Sequence, residues 1–235
     1  VRGIEGVGWR TQGAHWIGVG AIAWLFKYVY AQADATQLQG LLYPLAMLLN
    51  ALTPLQFVPL PSGEWWDARH HLLLVKACAG GNFLLVSWLG YVWQWREKWQ
   101  RHGGVAVMAG AAGAAWLTVL LANALRVLGV AYMEEDVIVV LGLSATDSHR
   151  LIGIVVYFAV LMVQMAGALP MAVLLYLGVT VCLPLLRALS VGMEGIDDAA
   201  LLWRYVQWTL GIPLGMGLMG LGWQWRTRHT ATHKP

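Results

Sequence analysis

The chain has 235 residues, of which 59% are hydrophobic and only 11% charged, with a formal net charge of +3 and a mean hydropathy of +0.60. A soluble domain of this length carries about twice that charge fraction, so the composition argues against a water-soluble globule and for an integral membrane protein. The basic residues form short clusters beside apolar runs; this pattern is a topology signal rather than a phosphate-binding face, and no nucleic-acid partner is expected.

A helix needs roughly 20 mainly apolar residues to cross the hydrocarbon core. In chain order, the first candidate span covers about 16–32, interrupted by Lys27. With no charged start, short apolar core and small-residue cleavage site in sequence, this span is expected to act as its own membrane address. The second covers about 38–60 and is broken by Pro54 and Pro59, which predicts a kinked or re-entrant segment. The polar, aromatic stretch 61–67 reads as an interfacial loop. Further spans are expected at about 72–95, 105–128 and 151–169, then 171–189 after a turn at Pro170, and 201–223 ahead of a basic tail. The small residues Gly110, Ala111, Ala112, Gly113, Ala114 and Ala115 suit close helix approach. Trp65, Trp66, Trp93, Trp95, Trp99, Trp203, Trp223 and Trp225 fall where a bilayer interface would place them. Lipid offers no partner to backbone polar groups, so the expected fold is all-α: a polytopic membrane helical bundle of about seven transmembrane helices, in a single domain covering 1–235.

Charge bias orients the bundle. Arg96, Lys98 and Arg101, and in the tail Arg226, Arg228 and Lys234, mark cytoplasmic segments. The links bearing Glu134, Glu135, Asp136 and Asp147, and Glu194, Asp197 and Asp198, lack such clusters and are assigned outside. Seven full spans would put Arg2 and Arg10 outside, against the bias, which leaves the number of crossings in the amino-terminal third open.

On this topology three reactive residues fall at one depth, near the outer face, on consecutive spans: Cys78, Arg126 and His149. Together they suffice for acyl transfer. A cysteine attacks a peptide carbonyl as thiolate, which a neighbouring cation favours. Histidine takes the thiol proton and returns one to the leaving amine. Arginine stays protonated and offers fixed donors to a developing oxyanion. Asn123, one turn before Arg126 on the same face, is placed to orient the guanidinium or add a donor. Singly, each has a plainer reading: a packing cysteine, a snorkelling arginine, an interfacial histidine. Cys182 keeps the packing reading, and two cysteines make neither a disulfide framework nor a CxxC metal site.

The ordered set Cys78-Ala79-Gly80, Asn123 with Arg126, and His149 resembles the exosortase/archaeosortase family of membrane cysteine transpeptidases. The continuation His149-Arg150-Leu151-Ile152-Gly153-Ile154-Val155-Val156-Tyr157-Phe158 is most similar to the exosortase K branch. The resemblance is carried by 78–158, within a core of about 70–160; the flanking segments match only as apolar helices. It implies cleavage of a carboxy-terminal sorting tail on membrane-anchored exported proteins, at the outer face of a bacterial or archaeal inner membrane. It further implies an acyl-enzyme on Cys78, acid/base work by His149, electrophilic stabilisation by Arg126, and no metal or organic cofactor.

Other features carry less. His70 and His71 are adjacent with no further ligand spaced to help, so an interfacial role is preferred to a metal site. Glu134, Glu135 and Asp136 serve to keep their link outside or to attract a basic flank of a substrate. The Glu pair also resembles membrane prenyl-proteases, but 137–143 contains no Arg, and the Gly-x-Ser-Gly element of rhomboid-type chemistry does not occur. Lys27 and Asp34 are placed to pair or to line a polar path. The rival reading is a transporter or assembly subunit, whose key polar groups usually lie nearer the bilayer midplane.

Overall fold

The computed structural model describes residues 5–142, 144–166, 168–182 and 210–220. The expected spans 171–189 and 201–223 therefore lie partly outside the described residues. Arg2, Glu194, Asp197, Asp198, Trp203, Trp223, Trp225, Arg226, Arg228, Lys234 and the side chain of Cys182 lie wholly outside them. The chain is mostly helical. It divides into two compact units, Val1–Leu120 and Leu121–Pro235.

In the first unit, helix α1 (Glu5–Gln32) begins well before the expected 16. A turn comes next, in which the Asp34 carboxylate accepts from Gln37 N at 2.9 Å and Thr36 Oγ1 at 2.5 Å. Lys27 reaches Asn82 Oδ1. Helix α2 (Gln39–Leu52) has 14 residues, about 21 Å of helix and too short to cross the core alone. Its interior Pro44 has no N–H for the Gly40 carbonyl; that carbonyl instead accepts from the indole Nε1 of Trp116 at 3.0 Å. The helix stops because Thr53 precedes Pro54 and is driven to extended backbone, φ −137° and ψ 167°.

Beyond α2 the chain departs from the all-α expectation. Val58–Pro59 (β1), Trp65–Asp67 (β2) and Leu72–Leu74 (β3) form an antiparallel sheet in the order β1-β2-β3, pairing Val58 with Trp66 and Trp66 with Leu73. Pro59 is confined to the edge strand, where its missing N–H does no harm. The expected spans 38–60 and 72–95 are thus cut short at the sheet. A short apolar run such as Leu72-Leu73-Leu74 reads equally as strand or helix, and β2 supplies the partner that decides it. Trp65 and Leu74 pack inward, and Trp65 Nε1 donates to Gln39 Oε1 at 3.1 Å. Trp65 and Trp99 are both buried against other protein atoms.

The sheet is tied down by buried Asp67. Its carboxylate accepts from Gln56 N at 2.8 Å, Arg69 N at 2.8 Å and His70 N at 3.2 Å, with His70 Nδ1 also at 3.2 Å. Burial alone would raise its pKa, but the hydrogen bonds from Gln56, His70 and Arg69 outweigh it and hold the carboxyl below its ordinary value. His71 takes φ 53° in the β2–β3 turn and packs on Trp66.

A 3-10 turn, Lys76–Ala79, leads into α3 (Gly81–Gln94). A second 3-10 turn, Arg96–Lys98, and the short helix α4 (Trp99–His102) come after it. Arg96 and Lys98 lie over the rings of Trp93 and Trp95, 4.3 Å and 4.8 Å from their centroids.

Helix α5 runs Gly104–Leu141, 38 residues or about 57 Å, against a hydrocarbon core of about 30 Å. The expected span ended near 128, with the acidic group 134–136 in a link. Charge does not stop a helix, however, and 104–141 contains no proline; Gly142, with φ of 61°, provides the left-handed stop. Ala111 and Ala115 are fully buried, whereas a Cβ at Gly113 would meet nothing within 4 Å. Close approach therefore concerns one side of the small-residue stretch. Leu117, Leu121 and Leu125 form an exposed apolar stripe one turn apart, a surface suited to lipid.

In the second unit, α6 (Ala145–Gln164) starts before the expected 151 because Ser144 caps it. Ser144 Oγ accepts from Asp147 N at 3.2 Å and donates to Asp147 Oδ2 at 2.9 Å. Pro170 stands in the first turn of α7 (Leu169–Leu177), where its missing N–H is harmless. A π turn, Gly178–Cys182, extends α7, and α8 covers Leu210–Gly220. The core here joins Phe158, Leu161, Met165, Leu169, Ala172 and Tyr176, with the Phe158 and Tyr176 rings edge to face at 5.4 Å. Among the described residues two helices are long and apolar enough to cross a membrane, within Gly104–Leu141 and Asp147–Gln164.

Candidate functional site

The predicted residues fall in two settings. Cys78 belongs to the first unit; Asn123, Arg126 and His149 belong to the second.

Cys78 does not sit in the first turns of a long span, as expected. It occupies the 3-10 turn ahead of α3, buried at 7% exposure, with Sγ 4.0 Å from the Leu73 carbonyl. The glycines beside it have definite work. Gly80 takes φ 66° to redirect the chain into α3. A Cβ on Gly81 would collide with the Tyr30 ring. Tyr30 also donates to the Lys76 carbonyl at 3.2 Å, and Lys76 Nζ donates to the Ala31 carbonyl at 2.9 Å. The end of α1 thus clamps the turn that carries Cys78.

Asn123, Arg126 and His149 are brought together between α5 and α6. Arg126 lies about 33 Å along α5 from Gly104, roughly one hydrocarbon thickness. His149 lies in the first turn of α6. The helices run antiparallel with matched faces: Glu134 faces His149, Gly129 faces Ile152, Arg126 faces Gly153 and Asn123 faces Tyr157. His149, Gly153 and Tyr157 are four apart and share one side of α6.

Arg126 Nη2 lies 2.9 Å from His149 Nε2, and Nη1 donates to Tyr157 Oη at 3.2 Å. Tyr157 donates its own proton to Asn123 Oδ1 at 2.5 Å. Asn123 therefore acts on the guanidinium through Tyr157 rather than directly. Its Nδ2 is a buried donor with no hydrogen-bond partner. A Cβ at Gly153 would stand 3.0 Å from Arg126 Nε, so the glycine makes room for the side chain across α6.

The protonation pattern comes from donor chemistry. A guanidinium carries donors only, so His149 Nε2 must accept, which leaves a neutral ring with its proton on Nδ1. That Nδ1 faces Glu134 Oε1 at 4.0 Å, and Ser148 Oγ donates to the Glu134 carbonyl at 3.4 Å.

Glu134, Gly153 and Tyr157 were not singled out as site residues from the sequence. The spacing of His149, Gly153 and Tyr157 was the available signal; Glu134 was hidden because its segment read as a link. Among the described residues, no three His, Cys, Asp or Glu side chains group as metal ligands. Comparison with protein-family models, with curated proteins and with solved structures returned no match.

Proposed function

We propose that this chain is a membrane-embedded cysteine transpeptidase or protease of the exosortase type. In this reading it cleaves a carboxy-terminal sorting tail from exported, membrane-anchored proteins at the outer face of a bacterial or archaeal inner membrane. The observation that supports it most is the hydrogen bond from Arg126 to His149 on facing helices, near one hydrocarbon thickness from Gly104. A catalytic base and a fixed cation held together at that depth suit chemistry on a membrane-tethered peptide better than a midplane permeation path.

In the proposed reaction the Cys78 sulfur bonds to the scissile carbonyl carbon and the thiol proton passes to His149 Nε2. The guanidinium of Arg126 releases Nε2 and turns its donors to the carbonyl oxygen, with Asn123 Nδ2 as a further donor. Collapse of the tetrahedral adduct breaks the C–N bond, and His149 returns the proton to the leaving amine. A thioester remains on Cys78 until an acceptor nucleophile, from water, lipid or glycan, displaces the sulfur. No metal or organic cofactor enters.

The test requires no known substrate. In oriented vesicles, with Cys182→Ala as background, a membrane-impermeant maleimide is expected to alkylate Cys78 from the outside. Because the maleimide carbonyl offers the guanidinium an acceptor and so frees Nε2, the expected neutral-pH rate is at least about 10-fold above an ordinary thiol. His149→Ala and Arg126→Ala should each slow it. If Cys78 reacts at the ordinary rate in all three backgrounds, the reading gives way to a transporter or assembly subunit.

A further inference from the structure

Glu134 is the acidic residue of α5 turned toward α6. Glu135 and Asp136, its neighbours in sequence, are exposed, whereas the Glu134 side chain is 25% exposed and faces a His149 side chain that is 41% exposed. Arg126 holds Nε2 as an acceptor, so the ring proton stands on Nδ1, the nitrogen that looks at Glu134 Oε1 across 4.0 Å. That distance is about 1 Å beyond hydrogen-bond length, a gap that a change of the glutamate rotamer closes. The backbones are already held level by Ser148 Oγ on the Glu134 carbonyl.

We propose that Glu134 is a positioning residue of this site: its carboxylate accepts the His149 Nδ1 proton, fixing the imidazole with Nε2 free to act once Arg126 turns away. This rests on the reading of His149 as the acid/base. A histidine base works best when its second nitrogen is oriented by a partner that also stabilises the imidazolium formed during attack, and a carboxylate does both. The acidic group then has a second role beside marking the outer end of α5.

The experiment uses the full chain in lipid nanodiscs with 15N-labelled histidine, the His149 signals being assigned by their loss in His149→Gln. Wild-type protein is expected to show the neutral Nδ1–H tautomer with a low-field Nδ1 proton. Glu134→Gln should move that proton upfield and slow Cys78 alkylation by about 10-fold, part of the 10²–10⁴-fold that a positioned acid/base supplies. Its melting temperature should stay at the wild-type value. An Nδ1 proton unmoved by Glu134→Gln overturns the proposal, even if His149→Ala abolishes Cys78 reactivity. Indifference of Cys78 to His149→Ala overturns the acid/base reading instead, and the proton shift still reports whether the carboxylate touches the ring.

Discussion

Arg126 donates to His149 across the α5–α6 pair at 2.9 Å, and this bond occupies the nitrogen lone pair that a general base would use. The arrangement is therefore a resting one: guanidinium and imidazole hold each other until a carbonyl oxygen offers the guanidinium a better acceptor. Two neighbours set the arginine: Tyr157 at Nη1 and the missing Cβ at Gly153.

Gly153→Ala separates stability from function. Alanine favours an interior helical position over glycine by about 1 kcal/mol. The new Cβ, however, would stand 3.0 Å from Arg126 Nε and displace the side chain. The expected outcome is an unchanged or raised melting temperature with Cys78 alkylation slowed toward the Arg126→Ala rate. Reactivity kept at the wild-type level would show that the arginine position is not critical.

Tyr157→Phe removes the acceptor of Arg126 Nη1 and the donor to Asn123 Oδ1 in one step. Asn123 is 1% exposed, so its oxygen loses a partner out of reach of bulk water. A loss of about 1 kcal/mol is expected, at the low end for an unsatisfied buried group because membrane helices relax to find other partners. Thermal melting in one detergent, with Asn123→Ala and the double variant completing the cycle, measures the coupling.

Trp116→Phe tests the repair at Pro44. It should destabilise the first unit by about 1–2 kcal/mol, because the Gly40 carbonyl has no helical N–H to fall back on. Adding Pro44→Ala supplies that N–H and is expected to recover most of the loss. If the double variant melts no higher than Trp116→Phe alone, the indole bond is incidental.

Asp67 makes the sheet acid-sensitive. Its folded-state pKa lies below the unfolded value of about 3.9, because bonds from Gln56, His70 and Arg69 overcome the opposing effect of burial. The carboxylate's contribution is therefore complete above about pH 4 and is lost as pH falls through the lower folded-state value. Melting temperature followed from about pH 6 to about pH 2 should fall in the wild type. Asp67→Asn should start lower at neutral pH and show a flatter acid limb.

Several elements were legible in the residues alone. The apolar content pointed to membrane-length helices, and two of them, within Gly104–Leu141 and Asp147–Gln164, meet that length and composition. Pro170 marked the start of α7, because a missing N–H acts locally whatever surrounds it, and Pro54 marked a break in the apolar run, which ends α2 rather than kinking it. Asn123 and Arg126 share a face of one helix by spacing alone.

Other outcomes depended on partners far along the chain. Leu72–Leu74 became a strand because Trp65–Asp67 pairs with it, which no local period announces. Residues 129–141 stayed helical through an acidic segment because charge marks a side of the membrane without ending a helix. Glu134 thereby left the link and came to face His149. Composition and proline placement act over a few residues and can be read directly. The register between α5 and α6 is set by long-range packing, and only that register decided which nitrogen of His149 carries the proton.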